Sequence, residues 1–198
     1  VANETDATVS VINTATNTLV SNFTPNVGYH VYDIAVSPNG QTVYVGGNFN
    51  NVGAQTRTRL AAFTSTGSLL SWAPQVNNLV TGIEVSPDAQ KVAISGRFEQ
   101  LNGSSSFGRG MAFVDAVAGS TLPFAASSVI RNGGDNGAIT SLASDDEFVY
   151  GTGYTYGGTA TGTLEGVFAA RWSDGGLHWV SDCHGDTHSV HPQDDVVY

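Results

Sequence analysis

The sequence predicts an all-β protein, a β-propeller of four-stranded antiparallel blades of about 50 residues each. Three observations carry that expectation. Short runs of alternating apolar residues dominate while helical periodicity is scarce, turn signals separate the runs, and the runs recur at a fixed spacing. Composition agrees: 24 of 198 residues are glycine, 12% are charged and 40% are hydrophobic. Such a chain is long enough to bury a core.

The elements follow in order. ATVSVINTATNTLVSNFTP (7–25) matches the second half of a unit, as RLAAFTSTGSLLSWAP (59–74) does further on. YDIAVSPNGQTVYVGGNF (32–49) then aligns with TGIEVSPDAQKVAISGRF (81–98). Val36-Ser37-Pro38 recurs at Val85-Ser86-Pro87, and Phe49 recurs at Phe98 by the same spacing of 49. Each block leads to another apolar run, LAAF (60–63) and MAFV (111–114). ITSLASDDEFVYGTG (139–153), with FAARW (168–172) and LHWV (177–180), is a looser third copy. THSVHPQDDVVY (187–198) opens a fourth.

Each unit thus reads as four short strands: one ending at Ser-Pro, one like TVYVGG, one like RLAAF and one like LLSW. The expected divisions are a second half-blade over 1–28, blades over 29–78, 79–137 and 138–186, and a first half-blade over 187–198. One blade has two apolar faces that it cannot cover alone, so blades stack around an axis. Three full units and two complementary halves could close as a four-bladed ring. An incomplete ring is the favoured expectation, because Tyr198 stands within an apolar strand whose edge would otherwise be bare.

Charge and composition exclude several functions. Seventeen acids against seven bases give a net charge of −10, which disfavours nucleic acid as a partner. No run approaches the roughly 18 apolar residues of a membrane helix, so membrane insertion is not expected. No basic segment precedes an apolar run at the start, so any signal peptide has been removed or lies before Val1.

The stretch VYVGGNFNNVGAQTRTRLAAFTSTGSLLSWAP (43–74) resembles the repeat-domain propellers of secreted, multidomain actinobacterial proteins. Units of that type read G-G-x-F-x-x-x-x-G, a spacer, R-L-A-x-F, then T-G-x-L-x-x-W-x-P. The match is close in 43–74, fair in 92–124, where SGRF stands without R-L-A or W-x-P, and loose in 148–180. VSVINTATNTLV (9–20) followed by IAVSPNGQTVYVGG is also similar to surface propellers of the YVTN type. The resemblance implies export to the cell surface or beyond and further domains on the same polypeptide. It also implies a second cysteine shortly after Tyr198, which would make Cys183 one half of a structural disulfide. It says little about function, because a propeller hosts many activities.

The strongest functional signal is CHGDTHSVHP (183–192). Aligned on its proline, it lies over YHVYDIAVSP (29–38), so that Asp186 replaces Tyr32 and His188 replaces Ile34. In an extended segment His184, Asp186 and His188 share a face, an arrangement that suits a divalent cation such as Zn²⁺ or Ca²⁺. Gly185 would spoil that alternation. The alternative is that Cys183 is structural and the histidines are surface or satisfied core groups. No cofactor is otherwise expected. His30 and Tyr32, in the corresponding part of the first unit, complete the candidate ligand-binding set.

Other candidates are weaker. Asp145, Asp146 and Glu147 occupy a turn where acids are solvated, and NGGDNG (132–137) lacks the regular spacing of a calcium loop. Arg57, Arg59, Arg97 and Arg109 lie in corresponding loops of two units; they could recognise carboxylates, but pairing with local acids or backbone carbonyls is the favoured expectation. Trp72, Trp172 and Trp179 are expected to be packing residues. Asn3, Asn22 and Asn102 head glycosylation sequons.

Two functional classes follow. The first is a non-enzymatic exported module that binds a glycan or protein, or spaces other domains. The second is a metal-dependent hydrolase or lyase centred on His184, Asp186 and His188.

Overall fold

Two successive four-stranded antiparallel sheets and a three-stranded one, each pairing its strands in sequence order, form the framework of the chain. The computed structural model describes residues 2–3, 8–21, 23–106, 109–156, 163–182 and 185–198. The first sheet pairs His30–Val36, Thr42–Asn48 and Leu60–Thr64. The second pairs Val80–Val85, Lys91–Gly96, Met111–Asp115 and Thr121–Leu122. The third pairs Gly137–Ser144, Phe148–Thr155, Gly166–Arg171 and Leu177–Asp182. Among the described residues, helix is confined to two 3₁₀ turns, Ala125–Ser128 and Gly134–Asn136. None of these described helices could cross a membrane.

In the first sheet the expected fourth strand shrinks to a bridge between Phe63 and Leu69, with the Leu70 N–H on the Ala62 carbonyl at 2.8 Å. The chain leaves the ladder there because Trp72 buries its ring and donates from Nε1 to the Asp115 carbonyl of the second sheet at 2.8 Å. Pro74 follows, with no N–H to extend the pairing.

The Ser-Pro turns close the first hairpins for a local reason. Ser37 Oγ accepts the Thr42 N–H at 2.9 Å and donates to Asn39 at 2.7 Å. Ser86 does the same with Lys91 at 2.9 Å and Asp88 at 2.6 Å. In the third sheet Asp145 takes over, accepting the N–H groups of Glu147 and Phe148 at 2.8 and 2.7 Å. A short polar side chain that mimics the next backbone acceptor suits such turns.

Each sheet buries both faces, as the unbroken burial of Val43–Gly47 and Val92–Gly96 requires. Tyr44, Leu60, Ala62 and Trp72 of the first sheet meet Ile83, Ile94 and Phe98 of the second. Met111, Phe113 and Phe124 of the second meet Ile139, Leu142, Phe168 and Trp172 of the third. The rings of Phe113 and Trp172 stack at 5.3 Å. Phe23 and Val27 of the leading segment cover the first sheet's other face, and Val190 of the trailing segment packs on the third.

The first strand of the second sheet touches the first strands of both neighbours. Those three strands carry the candidate site.

Phe49 and Phe98 are fully buried and equivalent. The Phe49 carbonyl accepts the Arg59 N–H and the Phe98 carbonyl accepts the Gly110 N–H, both at 2.8 Å. Arg59 and Gly110 each hold a positive φ, at 69° and 87°.

Candidate binding cleft at the first strands

Each first strand carries a bulge at the same place. Its register against the second strand slips between Val31 and Asp33, between Val80 and Gly82, and between Ile139 and Ser141. The residues passed over are Tyr32, Thr81 and Thr140. A bulge frees its extra residue from the ladder and re-aims the side chain. All three, one from each sheet, line one open cleft of about 320 Å³. Leu79 and Ala138, each two residues before a bulge residue, line it too, with Arg97, just past the end of the second sheet's second strand, and Tyr154 of the third sheet's. Arg97 and Tyr154 are themselves equivalent: the Arg97 N–H bonds the Leu79 carbonyl at 3.1 Å, and Tyr154 pairs with Ala138.

Hydrogen bonds link the bulges. Thr81 Oγ1 donates to the Ile139 carbonyl at 2.7 Å, and Thr140 Oγ1 to the Thr187 carbonyl at 2.9 Å. Ile139 immediately precedes a bulge residue, so Thr187 holds the matching place. His188 therefore occupies the position of Tyr32, Thr81 and Thr140, and Asp186 that of His30. Val190 falls with Ile34, Ile83 and Leu142, and it is buried as Ile83 and Leu142 are.

This register corrects the proline-based alignment by two residues. Aligning Pro192 with Pro38 sets Asp186 on Tyr32 and His188 on Ile34. In the structure Pro192 lies inside a ladder, opposite Val197, as Ser144 lies opposite Val149. The trailing hairpin turns on Asp194-Asp195, whereas Val36 opposite Val43 and Val85 opposite Val92 enclose the longer Ser-Pro turns. The two prolines serve different purposes, so they are not equivalent.

Cys183 and His184 lie outside the described residues. Asp186 is exposed and accepts from the Tyr156 hydroxyl at 3.1 Å, a bond that raises the Tyr156 pKa. His188 is exposed, its ring 5.8 Å from that of Tyr154, which in turn lies 5.2 Å from Tyr156. His30 packs instead beside Tyr29 at 3.9 Å and stacks with Tyr32 at 6.1 Å. The candidates thus divide between the Tyr32 end and the Tyr154 end of the cleft. Among the described residues, no three His, Cys, Asp or Glu side chains gather as a metal site requires.

Tyr154 was not among the candidates, and Arg97 was one only as a loop arginine that could recognise a carboxylate. The Arg97 guanidinium hydrogen-bonds the Tyr154 hydroxyl and sits 6.0 Å from that ring's centroid. The signal that would have found them is the column Asn48, Arg97, Tyr154, placed by the pairing of His30 with Asn48 and its counterparts. Arg57 and Arg59 do meet local carbonyls, those of Leu70 and Phe49, as expected.

Two half-buried carboxyls lie between the first strands but do not line the cleft. Asp33 accepts the N–H groups of Ile83 and Ile34, each at 2.9 Å. Burial raises its pKa while those two bonds oppose the rise. Burial, with a contribution from the Asp33 charge, pushes the Glu84 carboxyl up to about 7 against the hydrogen bond that Ser144 donates at 3.0 Å.

A larger groove of about 620 Å³ lies elsewhere, between Phe148, His178 and Trp179 of the third sheet and the trailing hairpin at Asp194–Val197. Asp145, one of its acids, is already committed to the Tyr150 hydroxyl at 2.6 Å. The smaller cleft is the better candidate because equivalent positions of three successive units converge on it.

No protein-family model and no curated protein matches the chain. Among solved structures the chain is similar to hydrazine synthase of Kuenenia stuttgartiensis, with a TM-score of 0.59 at 12% sequence identity. The likeness covers 94% of this chain and 46% of that one, so this chain spans less than half of its length. At such identity the similarity concerns the fold alone.

Proposed function

We propose that the chain belongs to an exported β-propeller acting as a non-enzymatic binding module, with a glycan or a protein-borne group seated in the cleft of Tyr32, Thr81, Arg97, Thr140 and Tyr154. The observation that carries this reading is the convergence of three bulge residues, one per sheet, on a single opening. Support for the propeller comes from the sequential strand order of each sheet and from the contact of the second sheet's first strand with both neighbours. Export rests on the resemblance of 43–74 to secreted repeat propellers.

The chemistry of the cleft favours binding over turnover. Thr81 gives its hydroxyl proton to the Ile139 carbonyl, and the partners of Thr140 Oγ1 are the Thr187 and Thr152 carbonyls and the Thr152 hydroxyl, so neither residue is paired with a base as a nucleophile must be. The carboxyls of Asp33 and Glu84 engage a backbone N–H and Ser144 rather than the opening. What remains is an exposed aromatic face at Tyr32, a guanidinium and acceptor oxygens. The metal-dependent alternative rests on Asp186 and His188 at the Tyr154 end, together with His184.

Calorimetric titration against a panel of oligosaccharides tests the binding reading. Tyr32→Ala should abolish any heat observed while leaving the melting temperature unchanged, since Tyr32 is exposed. A ligand that binds Tyr32→Ala as well as the parent chain would place the site elsewhere. Melting with EDTA and with added Zn²⁺ or Ca²⁺ tests the metal alternative, because a cation bound only by the native state raises the transition.

A further inference from the structure

We infer that the cleft selects an acidic sugar, a uronic acid whose carboxylate is held by Arg97; this rests on the reading of the cleft as a binding site. The chain has seven cationic side chains. Lys91 donates to the carbonyls of Trp172 and Ser173, Arg57 to Thr56 and Leu70, and Arg131 to Ser127. Arg59 binds the Phe49 carbonyl and the Asn50 side chain. Arg171 pairs with Asp174 at 3.2 Å. The seventh, Arg109, is exposed and does not line the cleft. Arg97 differs from these six. It lines the cleft, and its guanidinium bonds a tyrosine hydroxyl rather than a carbonyl or a carboxylate.

A guanidinium has five N–H donors in a planar fork that fits a carboxylate with two parallel bonds. Tyr154 engages Nη2 of that fork, and Arg97 lines the cleft. In a chain with 17 acids, leaving this cation without a carboxylate is a local choice rather than a shortage of partners. An incoming carboxylate supplies the opposite charge in a cleft otherwise walled in part by the apolar side chains Leu79 and Ala138 and the Tyr32 ring.

The remaining groups specify a sugar. With its proton on the Ile139 carbonyl, Thr81 presents lone pairs that accept from ligand hydroxyls, while Thr140 Oγ1 is shared with the Thr187 carbonyl and the Thr152 hydroxyl. Tyr32 offers an exposed ring against which the C–H face of a pyranose can lie. About 320 Å³ is at the small end of ligand pockets and suits a mono- or disaccharide. Asp186, exposed beside Tyr156, adds negative charge near the Tyr154 end and opposes polyanions.

The test is titration of the full chain with digalacturonate, with its neutral methyl ester, and with a sulfated disaccharide, followed by ligand-observed NMR and calorimetry. Digalacturonate should bind about tenfold or more tightly than either of the others, and added salt should weaken it. Arg97→Gln should bring acid and ester to equal affinity, with Arg97→Lys between, while melting temperatures stay close to the parent's. Equal binding of acid and ester by the parent, both lost in Tyr32→Ala, would overturn the carboxylate inference and leave the cleft as a binding site. Equal or tighter binding of the sulfated sugar would likewise overturn it. No binding of any sugar would remove this inference. If Arg97→Gln does not fold, chemical-shift changes at Tyr154 and Tyr32 on adding acid but not ester decide in its place.

Discussion

The Asp33 carboxylate accepts the backbone N–H of Ile83 at 2.9 Å, so a side chain of the first sheet completes the first strand of the second. An edge strand has N–H groups that no ladder partner reaches, and buried ones must be satisfied. The matching residue one sheet on is Gly82, where an added Cβ would meet Ser95 Oγ at 2.5 Å and the Leu142 nitrogen at 3.0 Å. The strands approach more closely there and leave no room for a side chain.

Asp33→Ala should therefore cost about 1–3 kcal/mol, the penalty for stranding a buried donor. Asp33→Asn keeps an acceptor oxygen and should cost less than half as much. Urea denaturation of the three proteins measures the difference. Equal midpoints for Asp33→Ala and the parent would show that the bond contributes nothing.

Glu84 makes stability depend on pH. Its folded pKa near 7 stands above the ordinary value of 4.5 because burial disfavours the charge, with the Asp33 carboxylate adding to the effect. Between those values the folded chain holds a proton that the unfolded chain has released. Stability therefore falls as pH rises through that window and levels off above about 7. Glu84→Gln removes this dependence and keeps an acceptor for Ser144. After allowance for solvent screening, it should be about 2 kcal/mol more stable than the parent at pH 8 and nearly equal at pH 4.5. Parallel pH–stability curves for the two proteins would contradict this account.

Gly47 and Gly96 close their second strands at equivalent points. A Cβ on either would lie 2.1 Å from a backbone oxygen, that of His30 or of Leu79. Neither oxygen can withdraw without breaking the strand beside the cleft. Gly47→Ala and Gly96→Ala should each lose at least the 1–3 kcal/mol typical of overpacked cores. Gly40→Ala, where nothing lies within 4 Å but φ is +70°, should lose about 1 kcal/mol through backbone strain alone. Thermal melts followed by circular dichroism rank the three.

Trp72 fastens the first sheet to the second. Its ring meets Tyr44 edge-on at 5.1 Å, and the Tyr44 hydroxyl donates to the Ala116 carbonyl at 2.8 Å beside the indole's own bond to Asp115. Trp72→Ala should cost about 3–5 kcal/mol, and Trp72→Phe rather less because the aromatic contact survives. Trp179→Ala, at a half-buried site beside the larger groove, should cost less than Trp72→Ala. Guanidinium midpoints compare them; a Trp179 effect as large as that of Trp72 would mean that the groove is a core.

The sequence by itself determined the all-β class, the two Ser-Pro turns and the equivalence of Phe49 with Phe98, because these rest on alternation, Gly and Pro chemistry and spacing. Those signals are local. The tertiary structure decided the rest. Bulges at Tyr32, Thr81 and Thr140 leave no mark in composition, since they are set by how each first strand slips against its partner. The hairpin turn at Asp194-Asp195, rather than Pro192, set the register of His188, and the cross-sheet bond from Thr140 revealed it. Arg97 read as one more loop arginine until the second strands of two sheets brought it beside Tyr154. Asp33 and Glu84 stand 51 residues apart in sequence, and only the packing of one first strand on the next takes both carboxyls out of water.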